Sequence, residues 1–232
     1  MLRRAVIVPD APALVPALGG AGSPALQTVR DAMIRAVGPG DPDGPGGRWT
    51  AVGPGERSRL IGTGTGARLA SYGREGELGL SEAPSAHEDN PEPALLVAAW
   101  LRETARLPGM TVQLVGPDAS AQECAVLGTQ LAADTDTLLV LGSGSFTWEP
   151  GDGTDHTDHR VDTEVRRALA AGDTAPLAAL DATECDGVHA GGRAPWQVLA
   201  GAVDGARVTA DLLYSDAPFG VRYHVATWDL TR

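Results

Sequence analysis

Short apolar strands alternate with amphipathic helices along most of the sequence, and this alternation restricts the fold more than any other feature. Leu2–Val8 is a β-branched run that ends at Pro9, and Thr137–Leu141 is an apolar run of strand length. Ser23–Val37 and Glu92–Arg106 instead carry apolar residues at helical spacing. Chains that alternate strands with helices bury a sheet between helical layers. The sequence therefore predicts an α/β fold with a central mixed β-sheet and helices on both faces.

The other predicted elements continue this pattern, and Ser23 and Ser120 are expected to cap the helices that follow them. The further strands are predicted at Trp49–Val52, Thr111–Val115, Val208–Tyr214 and Tyr223–Trp228, and the further helices at Ser120–Ala133, Asp162–Ala171, Ala175–Leu180 and Trp196–Val203.

Residues 57–90 interrupt the alternation because they are rich in Gly, Ser and charged residues. Two interpretations remain open for this segment, a poorly ordered excursion and an irregular subdomain. A length of 232 residues suits one α/β domain. We therefore predict a single domain spanning residues 1–232 that contains this excursion.

The formal net charge of −12 argues against nucleic-acid binding, which needs basic residues to displace phosphate counterions, and against anionic membrane surfaces. No apolar run approaches the roughly 20 residues of a membrane span. The apolar stretch before Pro9-Asp10 is shorter than the core of a signal peptide. We therefore expect a cytoplasmic protein without nucleic-acid or membrane partners. Cys124 and Cys185 lack the spacing of a zinc site and are expected to be free, buried thiols.

Four loop segments, in order, carry a recognisable pattern. Val8–Pro16 reads VPDAPALVP and resembles a loop of the type PHPPLLVP, and Val52–Glu56 reads VGPGE and resembles a GPxH loop. Leu139–Trp148 reads LVLGSGSFTW and resembles SxDLSH, and Ala190–Leu199 reads AGGRAPWQVL and resembles a CGRGP segment that opens a helix. By these segments the chain resembles the class III extradiol ring-cleavage dioxygenase superfamily (LigB-like and Memo-like proteins). The stretch from Asp162 to Trp228 especially resembles the small actinobacterial branch of this superfamily. The resemblance implies a LigB-like fold.

The same resemblance implies that the residues needed for iron chemistry are replaced. Active members hold one Fe(II) by two histidines and a carboxylate and use a further histidine as acid and base. Asp10 and Glu56 stand at the positions of the two iron-binding histidines, Trp148 at that of the acid/base histidine, and Gly191 at that of the Memo-like cysteine. Tryptophan transfers no proton, and two carboxylates without an imidazole make a poor site for oxygen activation. Ordinary extradiol cleavage is therefore not expected.

The resemblance also defines a remnant pocket, by which we mean the former iron site and its surroundings. It is expected to be formed by Asp10, Glu56, Ser145, Trp148, Gly191 and Arg193. No cofactor is expected in this pocket. The alternative is a hard divalent cation such as Mg²⁺, Ca²⁺ or Mn²⁺, held by its two carboxylates. Two further interpretations remain, solvated carboxylates and a salt bridge from Arg193 to Asp10 or Glu56.

A second group of ligand-type residues, Asp155–His159, lies in a glycine-flanked loop. His156 and His159 are its candidate metal ligands, and a solvated surface is the competing interpretation.

The leading functional hypothesis is a non-canonical, catalytically inactive homologue of the dioxygenases, whose remnant pocket binds a small ligand or a partner protein. The alternative hypothesis is a metal-dependent oxidoreductase or hydrolase with an altered, carboxylate-rich site. Because members of the superfamily often oligomerise, the resemblance adds a homodimer to the expected assemblies.

Overall fold

A computed structural model of the chain describes residues 1–19, 22–39, 47–146 and 159–231. The strands in these ranges are numbered in chain order. They are β1 (Arg4–Val8), β2 (Trp49–Pro54), β3 (Arg59–Ile61), β4 (Thr65–Arg68), β5 (Glu77–Gly79), β6 (Ala86–Glu88), β7 (Met110–Val115), β8 (Thr137–Leu141), β9 (Arg207–Asp216) and β10 (Tyr223–Thr231).

Seven of these strands form one mixed sheet in the order β3-β7-β2-β8-β1-β10-β9. The four central strands β7, β2, β8 and β1 are parallel, with Val6 beside Leu139 and Ala51 beside Leu139 on the other side. The outer strands β3, β10 and β9 pair antiparallel to their neighbours. The carboxyl ends of the four parallel strands therefore lie at one edge of the sheet, where ligands bind in open α/β folds.

The helices are α1 (Pro16–Gly19), α2 (Pro24–Val37), α3 (Pro93–Ala105), α4 (Ala121–Asp134), α5 (Arg160–Ala171), α6 (Thr174–Ala178), α7 (Ala182–Gly187) and α8 (Arg193–Ala202). Buried residues of α2 and α3 pack with Val6 and Leu139 on one face of the sheet. Buried residues of α4, α5 and α8 pack with Ile7 and Val140 on the other face. Alternate residues of each strand thus serve two separate cores, because successive side chains of a strand point to opposite faces. The predicted fold, a mixed sheet with helices on both faces, is confirmed.

The segment 57–90 is not a structureless excursion. It supplies β3 to the large sheet and then forms a separate three-stranded sheet in the order β5-β4-β6. These strands are only three or four residues long. They lack the alternation of apolar and polar residues from which a strand is recognised in sequence.

The two predicted helix caps are confirmed. The Ser23 hydroxyl accepts a hydrogen bond from the Leu26 N–H at the start of α2. Ser120 and Glu123 form a reciprocal capping box at the start of α4. Cys124 and Cys185 are free and buried, as predicted. Among the helices of the described ranges, none is both long and apolar enough to cross a bilayer.

Candidate functional site

Asp10 lies just beyond the carboxyl end of β1, and Ser143 lies just beyond that of the neighbouring strand β8. The Ser143 hydroxyl donates a hydrogen bond to Asp10 Oδ1 over 2.6 Å. The helix after β1 covers one face of the sheet and the helix after β8 covers the other. The pair therefore lies where the chain diverges to opposite faces, a place where α/β folds open a crevice.

The loop after β1 is fixed by a buried arginine of α2. Arg30 is 2% exposed, and it donates from Nε to the Leu14 carbonyl over 2.8 Å and from Nη2 to the Ala13 carbonyl over 2.9 Å. An arginine fork on two carbonyls holds a loop more rigidly than packing alone. Asp10 thus begins a loop whose course is set by α2.

The loop after β8 is held by close backbone contacts. Gly142 N–H donates to the Val8 carbonyl over 3.0 Å, and Gly192 N–H donates to the Ser143 carbonyl over 2.9 Å. A Cβ on Gly142 would lie 2.6 Å from Gly192 Cα, and a Cβ on Gly192 would lie 2.3 Å from the Trp196 ring. Only glycine permits this approach at both positions. The start of α8 is thereby locked to the ends of β1 and β8.

Asp10 and Glu56 line the same cleft, which has a volume of about 500 Å³. Glu56 follows β2, so the two carboxylates come from loops after two different parallel strands. No described residue forms an ion pair with either carboxylate. The other lining residues are Pro54, Gly55, Tyr72, Asn90, Pro91, Glu92 and Pro93. We refer to this space as the Asp10 cleft.

The Asp10 carboxyl is largely withdrawn from solvent, and burial raises its pKa above the ordinary value. The hydroxyl of Ser143 and the backbone N–H groups of Asp10 and Ser143 lower the pKa and partly offset this effect. Tyr223 is buried nearby, and its pKa rises to about 12 because of burial and then because of the Asp10 charge. The ionised form of Asp10 is therefore costly, and a cationic ligand would stabilise it.

Glu92 also lines the Asp10 cleft but is already paired. Arg59 donates from Nη2 to Glu92 over 2.7 Å and from Nη1 to Glu88 over 2.6 Å. These two carboxylates raise the pKa of Arg59 above its ordinary value. The Tyr72 hydroxyl donates to the Pro91 carbonyl over 3.1 Å, which fixes the position of its ring in the cleft wall. Among the described residues that line the cleft, Asp10 and Glu56 are the carboxyl groups without an ion pair.

Ser145 and Gly191 lie at the same edge of the sheet but not in the lining of the Asp10 cleft. Ser145 is 3% exposed, and both its N–H and its hydroxyl donate to the buried carboxylate of Asp162, over 2.9 Å and 2.5 Å. It ties the β8 loop to α5. Gly191 is exposed, and a Cβ there would meet nothing within 4 Å.

The interpretation in which Arg193 forms a salt bridge with Asp10 or Glu56 is wrong. Arg193 is buried, and it donates to the carbonyls of Pro117 and Ala119 and to the side chain of Gln197. These carbonyls belong to the loop between β7 and α4, so the guanidinium joins α8 to that loop. Its charge also lowers the pKa of Cys124 and Cys185, although burial still raises both.

Trp148 and His156 lie outside the described residues. His159 is described, and it immediately precedes α5, as the N-cap residue. The part of the chain that the structure describes contains no group of three or more His, Cys, Asp or Glu side chains placed to hold a metal ion.

Sequence reasoning missed His224, which is fully buried at the start of β10. Its Nδ1 lies 3.0 Å from the Ser215 hydroxyl, while its Nε2 has no hydrogen-bond partner. The Trp196 ring packs edge-on at 6.3 Å between centroids, and its Nε1 is also without a partner. Burial, together with the charges of Arg222 and Arg166, lowers the pKa of His224 to about 3. No sequence neighbour indicated this burial.

Ser143, which hydrogen-bonds to Asp10, was also missed, as were the cleft residues Tyr72 and Glu92. Ser143 could have been identified from its sequence position, because it lies in the predicted turn after β8, close to Ser145. Tyr72 comes from the segment 57–90, where the sequence predicted no regular structure. Its place in the cleft depends on the hydrogen bond to Pro91, which no spacing reveals.

No family profile matches the chain, and no curated protein matches it either. Among solved structures, the chain is similar to the uncharacterized protein JW3007 of Escherichia coli K12. The two share 12% sequence identity at a TM-score of 0.51, over 98% of this chain and 99% of the other. This comparison shows the fold alone.

Proposed function

We propose that the protein is a non-catalytic relative of the class III extradiol dioxygenases that binds a small organic cation in the Asp10 cleft. The observation that carries this proposal is the convergence of Asp10 and Glu56 on one cleft, without an ion pair to any described residue. A withdrawn carboxylate that lacks a cation is unfavourable, and a bound cation removes this cost.

The walls of the Asp10 cleft favour an ammonium or guanidinium group attached to a small apolar body. Pro54, Pro91 and Pro93 supply apolar surface, and Tyr72 supplies an aromatic ring. Aromatic faces attract cations, and a desolvated contact is worth on the order of 2 kcal/mol. A volume of about 500 Å³ lies within the range of small-molecule sites.

Binding of n-butylammonium, measured by calorimetric titration, tests this proposal. We expect saturable binding that weakens about tenfold or more in Asp10→Asn, because a charge-assisted contact in a partly desolvated site is lost. Glu56→Gln is expected to weaken binding less, since Glu56 is exposed. Glu75→Gln is the matched control, because it removes an exposed carboxylate outside the cleft.

Two results would contradict the proposal. One is equal binding by the wild type and Asp10→Asn. The other is one metal ion per chain in protein purified without a histidine tag, lost in the Asp10→Ala/Glu56→Ala double variant. That second result would instead support a metal-dependent enzyme with a carboxylate site.

Asp10→Asn is also expected to raise the free energy of unfolding at neutral pH by about 1 kcal/mol. The folded-state pKa of Asp10 is raised. The stability it contributes is therefore present below the unfolded pKa and lost as pH rises through the folded value. Asparagine keeps an acceptor for Ser143 without the charge. Urea unfolding at neutral pH and near pH 4 measures the effect. The increase in the free energy of unfolding should be smaller at the lower pH. A loss of stability at both pH values would show that Asp10 is not strained by its charge.

A further inference from the structure

A second cleft, with a volume of about 560 Å³, lies at the opposite end of α3 from the Asp10 cleft. One wall is the C-terminal end of α3, with Arg102, Glu103 and Arg106. The other wall is β5 and the loop after it. We call this space the Arg102 pocket. Its opposite-wall residues are Glu77, Gly79, Ser81, Glu82 and Pro84.

Arg102 is the residue that indicates which kind of ligand this pocket binds. It is only 9% exposed, and its Nε donates to the Leu107 carbonyl over 3.1 Å, which fixes the plane of the guanidinium. No described residue accepts a hydrogen bond from its two Nη groups. These Nη atoms are not among the buried unsatisfied atoms, so they open to the pocket, and a guanidinium held in place with free donors suits an anion. Because Arg102 also lines the pocket, its vacant donors indicate an anionic ligand there.

Arg106 adds a second positive charge beside the first. Arg102 lines the pocket from the last turn of α3, and Arg106 lines it from the left-handed residue that ends the helix. Arg106 is exposed and forms no ion pair with a described residue. Two arginines that line one pocket can bind an oxyanion through several N–H groups at once.

The carboxylates of the Arg102 pocket either have partners or are exposed to solvent. Glu77 lies 2.6 Å from His87 Nδ1 and 3.7 Å from Arg68 Nε. Glu103 accepts a hydrogen bond from the Gly79 N–H over 2.8 Å. Glu82 is exposed, so solvent and salt screen its charge. The unpaired donors that face the pocket are therefore those of the arginines.

The wall opposite α3 is rigid. Leu80 N–H donates to the Thr65 carbonyl over 3.0 Å, and Met110 N–H donates to the Leu80 carbonyl over 3.0 Å. A Cβ on Gly79 would lie 2.5 Å from the Ser81 carbonyl oxygen, so the turn requires glycine there. A preformed wall lowers the entropy cost of binding.

We infer that the Arg102 pocket binds a small molecule through an oxyanion, a carboxylate or a phosphate, held by Arg102 and Arg106. This site is independent of the Asp10 cleft and takes a ligand group of opposite charge. The Ser81 hydroxyl lines the same space and offers a further donor to the oxyanion.

Titration of the ¹⁵N-labelled full chain with inorganic phosphate, and separately with succinate, tests the inference by NMR. We expect saturable shifts confined to residues 79–84 and 102–107, including the Arg102 Nε–H signal, with a Kd below about 10 mM. Arg106→Asn is expected to weaken binding about tenfold. Asparagine suits that position because Arg106 has a left-handed backbone, with φ of 53°. Tighter binding of phosphate than of succinate, or the reverse, identifies which oxyanion the pocket prefers.

Arg102→Lys keeps the charge but loses the planar fork, and we expect it to weaken binding at least as much as Arg106→Asn. Arg74→Gln is the control, because it removes one exposed arginine outside the pocket and should leave the titration unchanged. Absence of saturable binding of both anions, or binding equal in the wild type and Arg106→Asn, would overturn the inference. Neither result would affect the cation titration of the Asp10 cleft.

Discussion

The His224→Asn variant is expected to lose most of the acid sensitivity that the wild-type protein shows between about pH 7 and pH 5. His224 is fully buried, and its pKa is lowered to about 3. In the unfolded chain a histidine titrates near pH 6.5. Below that pH the unfolded state binds a proton that the folded state excludes, so stability is lost as pH falls toward the folded pKa.

The expected size of this effect is about 1.4 kcal/mol per pH unit, or about 2 kcal/mol between pH 7 and pH 5. Asparagine preserves a partner for the Ser215 hydroxyl and stays neutral at both pH values. Urea unfolding of wild type and variant at the two pH values isolates the proton-linked term from any packing loss. Parallel curves for the two proteins would mean that His224 accepts its proton in the folded state.

His189→Asn supplies a matched control for the His224 experiment. His189 is exposed and has a φ of 56°, a backbone region that asparagine tolerates. Its removal also deletes one histidine, yet the acid sensitivity is expected to remain. If His189→Asn and His224→Asn changed the pH dependence of stability equally, the cause would be a general loss of histidine charge and not the burial of His224.

Gly128→Ala in α4 is expected to lower the free energy of unfolding by about 2 kcal/mol or more. An added Cβ would lie 2.1 Å from the Val198 carbonyl oxygen and 2.6 Å from the Ala202 nitrogen of α8. Both atoms are backbone, so the two helices must separate. In a solvent-exposed helix, Gly→Ala raises the free energy of unfolding by about 1 kcal/mol. The sign of the change therefore shows whether Gly128 lies at a close contact between two helices.

The reciprocal contact is made by Gly201 of α8, whose added Cβ would lie 2.4 Å from the Ala125 carbonyl oxygen. Gly201→Ala is expected to cost about as much as Gly128→Ala. The double variant should cost less than the sum, because helices already forced apart accommodate the second methyl group. Gly187→Ala is the control, since its added Cβ meets nothing within 4 Å. Thermal unfolding of the four variants is the measurement, and a stabilised Gly128→Ala would contradict the close crossing.

Most of the fold prediction rested on hydrophobic periodicity and on the residues that cap helices. The helices α2 and α4 begin next to predicted cap residues, and α3 lies within its predicted range. The short strands β4 to β6 were not predicted, because hydrogen bonds between distant segments define them rather than their own composition. A local sequence pattern indicates local structure, whereas the pairing of three-residue strands depends on residues that are distant in sequence.

The candidate site was predictable only in part, for a comparable reason. The motif resemblance pointed to Asp10 and Glu56, in the loops after β1 and β2, and both residues line one cleft. The direction of the Arg193 side chain was not predictable, because its partners are main-chain carbonyls of the loop before α4. Backbone carbonyls occur at every position, so sequence gives no indication of which ones a guanidinium will find.

The pairing of the first strand with the last strand has a consequence for synthesis. β1 lies between β8 and β10, with Arg4 beside Asp229. During translation β1 leaves the ribosome well before β10, and it gains its second neighbour only when β10 has emerged. Until then an apolar strand presents an open edge, which is a template for association with other chains. The sheet is therefore completed only after β10 has been made, and the nascent protein is expected to depend on chaperones for longer than folds that close locally.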